Sequence, residues 1–273
     1  MRTQPSREDL IALTQLNPFD RFADGRPRVP DDLLERMKLV TTEEAWGVMR
    51  EHGYHFQFEG NWMETHPGKI TVGRAVTAQF LPYRPDYHDI VQEVGLGEER
   101  SAIGGQNSWV IESLEMNDVM VVDIFGKVED GTVIGDNLGT AVRMRTRAGA
   151  VIDGGIRDYQ GLVQLDDVNF FMRGVDPTAI ADVTLAGLNI PIRIGRVTVL
   201  PGDIVLGTPS GVIFIPPHLA QEVVDRSDDI RVRDTFGKLR LDLGIYTSGE
   251  IDVPNWREDI VADFNAWKEE NKQ

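Results

Sequence analysis

The chain has 273 residues, a formal net charge of −16 at pH 7 and no cysteine. A chain without cysteine has no disulfide, no zinc–thiolate site and no cysteine nucleophile. The acidic balance, with no basic stripe interleaved with aromatic residues, disfavours a nucleic-acid partner. The opening MRTQPSREDLIALTQLNPFDRF lacks the apolar core of a signal peptide, and no apolar run approaches the roughly 18 residues of a membrane helix. We therefore expect a cytoplasmic protein with no nucleic-acid or membrane partner.

Residues 1–66 are predicted to be helical. Ser6 stands three residues before Asp9, which is the spacing of a capping box, and apolar residues follow at helical intervals. The connector FADGRPRVP ends this first helical stretch. Thr41 and Glu44 repeat the capping signal in the second stretch, and Gly53 is predicted to end it.

From about Lys69 to Pro217, short β-rich runs are divided by glycines. The candidate strands are ITVGRAVTAQF, DVMVVDIFG, GAVIDGG, NFFMRG, IRIGRVTVL, GDIVLG and GVIFIPP, and GTAVRMRTRAG is predicted to be a helix between the second and third. Strands that alternate with a few helical stretches indicate an α/β or layered sandwich domain. The polar, aromatic segment Tyr83 to Asp89 is predicted to be an exposed loop, with a pocket lining as the alternative.

The last part of the chain, after His218, is predicted to be helical at both ends. Ile260, Phe264 and Trp267 fall on one helical face there. This apolar stripe indicates packing or a subunit contact.

The stretch VIGDNLGTAVRMRTRAG, Val133 to Gly149, leads from a strand end into a helix. Asp136 and Asn137 can cap a helix, and Gly135 and Gly139 let the backbone approach a ligand closely. Free amides at a helix N-terminus bind a carboxylate or phosphate, and the alternative interpretation is an ordinary capped helix. Neither a Walker loop nor the GxGxxG spacing of a dinucleotide site is present.

The stretch VIDGGIRDYQGL, Val151 to Leu162, places a charged pair after an apolar strand. Asp158 can hold Mg²⁺ or Mn²⁺ through oxygen, and Arg157 offers a planar fork to a carboxylate or enolate. Neighbouring strand residues point to opposite faces, so both side chains serve one ligand only if the chain turns there. Gly154 and Gly155 permit such a distortion, and the alternative is a surface ion pair.

The stretch VTVLPGDIVLGTPSGVIFIPP, Val197 to Pro217, is interpreted as structural. Pro201, Gly202 and Asp203 are predicted to form a turn between strands, and Gly211 opens the next strand. No Gly-x-Ser-x-Gly elbow supplies a serine nucleophile anywhere in the chain.

Taken in order, three of these stretches resemble the RraA-like family, which includes the 4-hydroxy-4-methyl-2-oxoglutarate aldolases. They are GDNLGTAVRMRTRAGAVIDGGIRD, FFMRGVDPTA and VLPGDIVLGTPSGVIFIP. The resemblance predicts three regions, namely a helical N-terminal extension (1–66), an RraA-like catalytic domain (67–226) and a C-terminal extension with a terminal helix (227–273). It implies an α/β fold built as a layered β/β/α sandwich of the swivelling-domain type. It also implies a homotrimer or homohexamer with active sites between subunits.

The resemblance further implies a metal-dependent carbon–carbon lyase, specifically a class II-type aldolase that releases pyruvate from a 4-hydroxy-2-oxo acid and also decarboxylates oxaloacetate. Asp158 would hold the divalent metal, Mg²⁺ or Mn²⁺, and Arg157 would face pyruvate as the second catalytic residue. The backbone amides of Asn137 and Leu138 would hold the pyruvate carboxylate. The full set of implied substrate-binding residues is Gly135, Asp136, Asn137, Leu138 and Arg157.

Two departures from the family pattern stand out. Members commonly have Gly-Asp-Leu-Leu-Ala where this chain has Gly-Asp-Asn-Leu-Gly, which leaves binding by backbone amides intact. Thr208, Pro209 and Ser210 replace acidic residues and put an acid–base role for that loop in doubt. The alternatives are a metal-dependent lyase or hydratase acting on a sugar-derived acid, and a non-catalytic regulator that binds a ribonuclease. The presence of Arg157 and Asp158 favours an enzyme.

Overall fold

The computed structural model describes residues 1–271. The helices within them are α1 (Arg7–Leu13), α2 (Asp31–Met37), α3 (Thr42–Glu51), α4 (Pro85–Gly97), α5 (Gln106–Glu112), α6 (Asp136–Thr146), α7 (Tyr159–Leu162), α8 (Ala220–Asp242), α9 (Ser248–Ile251) and α10 (Glu258–Glu270), with a 3₁₀ turn at Pro217–Leu219. The strands are β1 (Phe58–Glu59), β2 (Met63–Glu64), β3 (Thr71–Pro82), β4 (Asp118–Asp123), β5 (Gly149–Ile156), β6 (Asn169–Val175), β7 (Val183–Leu188), β8 (Ile192–Ile194), β9 (Val197–Val199), β10 (Ile204–Thr208) and β11 (Gly211–Ile215).

The strands form one large mixed sheet and a separate hairpin. The order in the sheet is β1-β11-β10-β3-β4-β5-β6-β2, with β7 paired to the far end of β3. Strands β3 to β6 are mutually parallel, whereas the pairs at both edges are antiparallel. The predicted run Ile192 to Leu200 forms the β8–β9 hairpin, which reverses at Gly195 with a φ of +56°. The predicted α/β class is confirmed.

The two faces of the sheet are covered differently. Met120 and Val122 of β4 pack with the helical side, in a core that includes residues of α4, α5 and α6. Val119 and Val121 point the other way and pack against the β8–β9 hairpin. Strands β10 and β11 extend the helical side, where they pack against α2, α3 and α8. The layers are therefore helices, sheet and hairpin.

Local helix signals in the N-terminal part of the chain are confirmed. Ser6 and Asp9 form a complete capping box at α1, and Thr41 and Glu44 form another at α3. Gly53, just after α3, has a φ of +84°, as expected of a glycine that ends a helix. Two short strands from the same region, β1 and β2, join the edges of the sheet. The division of the chain at residues 66 and 226 stays a prediction.

The segment Tyr83 to Asp89 is mostly exposed, as predicted, but it is not a loop, because α4 begins within it. Pro85 occupies the first turn of that helix, where its fixed φ suits a helix and its missing N–H leaves no bond unmade. Tyr87 packs against the core, and Gly95 lies so close to the ring of Trp109 that a Cβ atom there would clash.

Segments near the N-terminus and in the C-terminal part of the chain form contacts with the rest of the fold. Near the N-terminus, the buried Arg26 donates two 2.9 Å hydrogen bonds to the carboxylate of Asp118 at the start of β4. In the C-terminal part, Phe236 of α8 packs against Phe264 and Trp267 of α10, so the predicted apolar stripe packs within the chain. Within residues 1–271, none of the helices is long and apolar enough to cross a membrane.

Candidate active site

Two loops meet at the carboxyl ends of the parallel strands β4 and β5. Arg157 and Asp158 follow β5 directly, and the loop after β4 leads through Gly135 into α6. The Arg157 amide donates a 3.0 Å hydrogen bond to the carbonyl of Ile134. In open α/β sheets this edge is where ligands bind. The structure thus brings the first and second sequence motifs together.

Glycine is required where the two motifs touch. A Cβ atom on Gly135 would overlap Oδ2 of Asp158 and lie 3.2 Å from Nε of Arg157. A Cβ atom on Gly161 would lie 2.7 Å from Cβ of Asp136, which is also too close. The missing side chains therefore let the charged pair lie directly against the start of α6.

The paired glycines of β5 make room for the loop that arrives from β4. A Cβ atom on Gly154 would lie 2.8 Å from the carbonyl oxygen of Lys127, and one on Gly155 would lie 2.7 Å from that of Val128. The Gly155 amide donates to the Lys127 carbonyl at 3.0 Å. The β5–β6 register also shifts between Ile152 and Gly155. The glycines thus allow both the expected distortion and a close crossing of two chain segments.

The chain turns at Asp158. We expected such a turn to be necessary if the side chains of Arg157 and Asp158 are to contact one ligand. Asp158 has a φ of +52°, in the left-handed region that is unusual for a residue other than glycine. Nε of Arg157 and Oδ2 of Asp158 are 3.7 Å apart, and the two side chains are 44% and 43% exposed. A pair so exposed stabilises the fold by about 0–1 kcal/mol. The pair therefore contributes little to the stability of the fold.

Both charged groups are uncommitted within the part of the chain that the structure describes. The guanidinium of Arg157 donates no hydrogen bond there, and the carboxylate of Asp158 accepts none. Arginine presents five donors in a fixed fork that matches a carboxylate or an enolate. The pair can therefore engage a ligand without first breaking other bonds.

The start of α6 supplies further donors. Gly135 is its N-cap and has no side chain to bond the first turn. Among residues 1–271, the amides of Asp136 and Leu138 have no acceptor, whereas the Asn137 amide donates to Oδ1 of Asp136 at 2.7 Å. Of the two amides expected to hold a carboxylate, that of Leu138 is free and that of Asn137 is paired with a neighbouring side chain. Free amides and the helix dipole favour an anion here.

The site suits a hydrated hard cation better than a caged one. No group of three or more histidine, aspartate or glutamate side chains within residues 1–271 is arranged to hold a metal. Mg²⁺ and its relatives bind through one or two carboxylates and keep several waters, so Asp158 with solvent and substrate oxygens meets that requirement. A Cβ on Gly135 would overlap Oδ2 of Asp158, so glycine at this position lets the carboxylate that would hold the ion lie against the start of α6.

A half-buried charged network that includes Asp153 of β5 was not expected from the sequence. Arg173 of β6 donates to Oδ1 of Asp153 at 2.6 Å and to Oε1 of Glu59 at 2.9 Å, and it stacks on the ring of Trp62. It joins strands that are far apart in the chain. The one local signal was an arginine at the end of the apolar run NFFMRG.

The third sequence motif lies away from this site. Asp203 and its turn precede β10, and Thr208 at the end of that strand hydrogen-bonds Thr42 of α3 at 2.6 Å. The interpretation of the turn as structural agrees with this position.

The fold and the site define the class of the protein. The family model for RraA-like proteins, described as Aldolase/RraA, matches residues 32–214, which is more than half of the chain and includes every residue of the site. The chain belongs to the RraA-like family, as the motifs predicted.

Individual relatives are more distant. A protein of Halalkalibacterium halodurans named "Putative 4-hydroxy-4-methyl-2-oxoglutarate aldolase" is 29% identical over 139 residues, which are 50% of this chain and 65% of the relative. The chain thus spans just under two thirds of that curated relative. Protein DlpA of Legionella pneumophila is 27% identical over 64% of this chain and 27% of its own length. Among solved structures, Streptomyces coelicolor RraAS2, described as an unusual member of the RNase ES inhibitor RraA protein family, has a TM-score of 0.66 and 26% identity over 82% of this chain and 100% of that chain.

Proposed function

We propose that the protein is a divalent-metal-dependent aldolase that cleaves a 4-hydroxy-2-oxo acid to pyruvate and a carbonyl compound. The observation that carries the proposal is the contact, across Gly135, of an uncommitted arginine–aspartate pair with the free amides of α6. Family membership supports it, since the matching model is described as Aldolase/RraA and one relative is named as an aldolase.

Each part of the site has a task in this reaction. The amides at the start of α6 bind the substrate carboxylate, and the helix dipole favours its charge. Arg157 lies beside them and donates to the oxygen of the 2-oxo group, where negative charge develops as the C3–C4 bond breaks. The bond's electron pair forms the enolate of pyruvate while water takes the proton of the 4-hydroxyl as the carbonyl compound forms, and water then returns a proton to C3. Decarboxylation of oxaloacetate passes through the same enolate and is the expected side activity.

Asp158 would hold the metal, Mg²⁺ or Mn²⁺, which when bound supplies a Lewis acid for the 2-oxo acid. Its carboxylate lies 3.7 Å from Arg157 Nε, so an ion held by Asp158 and the arginine would face the same ligand. With a net charge of −16, the chain as a whole repels an anionic substrate. The local cation, the arginine and the helix end together offset this repulsion.

The proposal includes an assembly of three or six copies with the sites between subunits. In one copy, Arg157 and Asp158 are both more than 40% exposed. Exclusion of water strengthens electrostatic stabilisation in an active site, and a neighbouring subunit would provide it. The same chemistry could also serve a lyase or hydratase acting on a sugar-derived acid, which would form no pyruvate.

A second candidate function is binding of a ribonuclease without catalysis. It is favoured by the likeness to RraAS2, whose description names a family of RNase ES inhibitors. The free arginine, aspartate and helix amides would have no task in such a protein. The aldolase is therefore the better-supported function.

The test is pyruvate release from a panel of 4-hydroxy-2-oxo acids and oxaloacetate, measured with lactate dehydrogenase and NADH. We expect release with Mg²⁺ or Mn²⁺, loss of release with EDTA, and recovery on adding excess metal. The substitution Asp158→Asn should abolish it, while Asp242→Asn, at an exposed position in the last turn of α8, should not. If metal-loaded protein released no pyruvate from any of these compounds, the lyase and ribonuclease-binding functions would move ahead.

A further inference from the structure

A second cavity lies far from the Arg157–Asp158 site. Asp203 lines this cavity, and its backbone carbonyl accepts a hydrogen bond from the amide of Ala75 on β3. Ala75 lies level with the amino ends of β4 and β5, so the cavity is near that edge of the sheet. The site described above lies at the carboxyl ends of those strands. Gly149 lies at the level of Ala75, and Ile156 ends β5 seven residues later, so the separation is about 23 Å along the strands and three strand spacings of about 4.8 Å across the sheet. The two sites cannot share a small ligand.

The walls of this cavity, which we call the Asp203 cavity, come from four separate segments of the chain. They are the end of α1 with the residues that follow it, the connection between α3 and β1, β9 with the β9–β10 turn that includes Asp203, and the turn after β11. The volume is about 370 Å³, within the range of about 300–1,000 Å³ typical of ligand pockets. The apolar part of the lining consists of Leu13, Leu16, Leu200, Pro216 and Pro217, and the polar part of Thr14, Gln15, Asn17, Tyr54, Gln57, Thr198, Asp203 and His218.

Asp203 is the unusual member of this lining. Its side chain is buried, at 3% exposure, and Oδ2 accepts a 2.8 Å hydrogen bond from the Leu200 amide. Within residues 1–271 the other oxygen has no hydrogen-bond partner and no cation pairs with the carboxylate. Burial without a cation raises the pKa of Asp203 to about 7, although the Leu200 hydrogen bond opposes the rise.

The rest of the lining leaves the carboxylate without a counter-charge. No lysine or arginine is among the described residues that line the cavity. Nε2 of His218 is 3.2 Å from the hydroxyl of Tyr54, and burial, together with the nearby His52, lowers the pKa of His218. The imidazole is therefore neutral above pH 7 and neither neutralises Asp203 nor repels a cation.

We propose that the Asp203 cavity binds a small organic amine, with the ammonium group on Asp203 and a compact apolar body against the leucine and proline side chains. A charge-assisted hydrogen bond to a buried carboxylate is about twice as strong as a neutral one. The ring of Tyr54 can add a cation–π contact. This amine site is separate from the proposed aldolase activity and does not depend on it.

Leu16, on the rim of the cavity, offers a way to test the site without changing Asp203. It is 62% exposed, so a charged side chain is tolerated there. A lysine at this position would place a positive charge at the entrance and repel an ammonium ligand. Leu39 is exposed to a similar extent, 60%, and does not line the cavity, so Leu39→Lys is the matched control.

The experiment measures binding of 2-phenylethylamine and of its neutral analogue 2-phenylethanol to the full chain at pH 8 by ligand-observed NMR. We expect the amine to bind at least tenfold more tightly than the alcohol. Asp203→Asn should weaken amine binding at least tenfold and leave alcohol binding unchanged. Leu16→Lys should weaken amine binding at least threefold, and Leu39→Lys should not.

Several results would overturn the proposal. They are equal affinity of the wild-type protein for amine and alcohol, no saturable amine binding at millimolar concentration, or unchanged amine affinity in Asp203→Asn. If Asp203→Asn failed to fold, an unchanged amine affinity in Leu16→Lys would have the same meaning. Pyruvate release plays no part in these readouts, so failure of the amine site and failure of the aldolase function can be told apart.

Discussion

Gly135→Ala tests the geometry of the candidate active site with the smallest possible change. Gly135 has a φ of −115° and an extended ψ, so an alanine there introduces no backbone strain. Its methyl group would overlap Oδ2 of Asp158, and ordinary contact requires at least 3.4 Å. The carboxylate must therefore move by about 1 Å, and a displacement of about 1 Å can reduce a rate by about 100-fold.

Stability should change little, because Asp158 is 43% exposed and can swing away into solvent. We expect the free energy of unfolding to stay within about 1 kcal/mol of wild type, as for most surface changes. Gly47→Ala is the matched control, since a Cβ atom there meets nothing within 4 Å. That change should leave activity intact and stabilise α3 by about 0.5–1 kcal/mol.

The assay compares kcat/KM for pyruvate release and the affinity for Mn²⁺ in the two variants and the wild type. We expect a loss of about 100-fold in kcat/KM and weaker Mn²⁺ binding in Gly135→Ala alone. A kcat/KM within threefold of wild type, in a protein whose Mn²⁺ affinity is also unchanged, would refute the reasoning that Gly135 positions the Asp158 carboxylate.

Three further predictions concern the scaffold. Asp118→Ala leaves the buried guanidinium of Arg26 without its hydrogen-bond partner and should destabilise the protein by about 3–5 kcal/mol in urea unfolding, whereas Asp86→Ala at an exposed pair should cause no measurable shift. Burial raises the pKa of Asp203 to about 7 in the folded state, so the folded protein holds this proton more tightly than the unfolded chain does. The stabilisation that results is complete below the unfolded pKa near 3.8 and is lost as the pH rises through 7. The free energy of unfolding of Asp203→Asn, minus that of the wild type, should therefore be about 2–3 kcal/mol greater at pH 8 than at pH 5. An equal difference at both pH values would contradict the raised pKa of Asp203. Phe236→Ala removes a fully buried ring that touches three other aromatic rings, and should cost about 3–5 kcal/mol or release the C-terminal helices, seen as a loss of near-ultraviolet circular dichroism. An unchanged spectrum and melting temperature would show that the cluster is not a packed unit.

Features set by local patterns could be predicted from the sequence. The capping boxes at Ser6 and Thr41 involve residues three apart, and both form as expected. The buried strand Gly149–Ile156 is apolar or glycine at every position except Asp153, so the place of Arg157 and Asp158 after its last residue followed directly. These predictions succeeded because one stretch of chain contains the whole signal.

Features that depend on distant segments could not be predicted in the same way. The contact of Arg173 with Glu59 joins residues 114 positions apart, and no local pattern encodes such a pairing. The role of Gly154 in admitting the loop from β4 depends equally on a long-range crossing. The helix that begins at Pro85 was missed because proline is common both in loops and in the first turn of a helix. The bond between Asp136 and the Asn137 amide depends on a side-chain rotamer that the sequence does not specify.

The central claim is that Arg157, Asp158 and the start of α6 stabilise the enolate of pyruvate. The most direct test is exchange of the methyl protons of pyruvate for deuterium in D₂O, followed by proton NMR, because it requires no knowledge of the carbonyl half of the substrate. We predict metal-dependent exchange by the wild-type protein that EDTA stops and that Asp158→Asn and Arg157→Gln each abolish. Metal-loaded wild-type protein that exchanges no faster than the Asp158→Asn variant would contradict the claim.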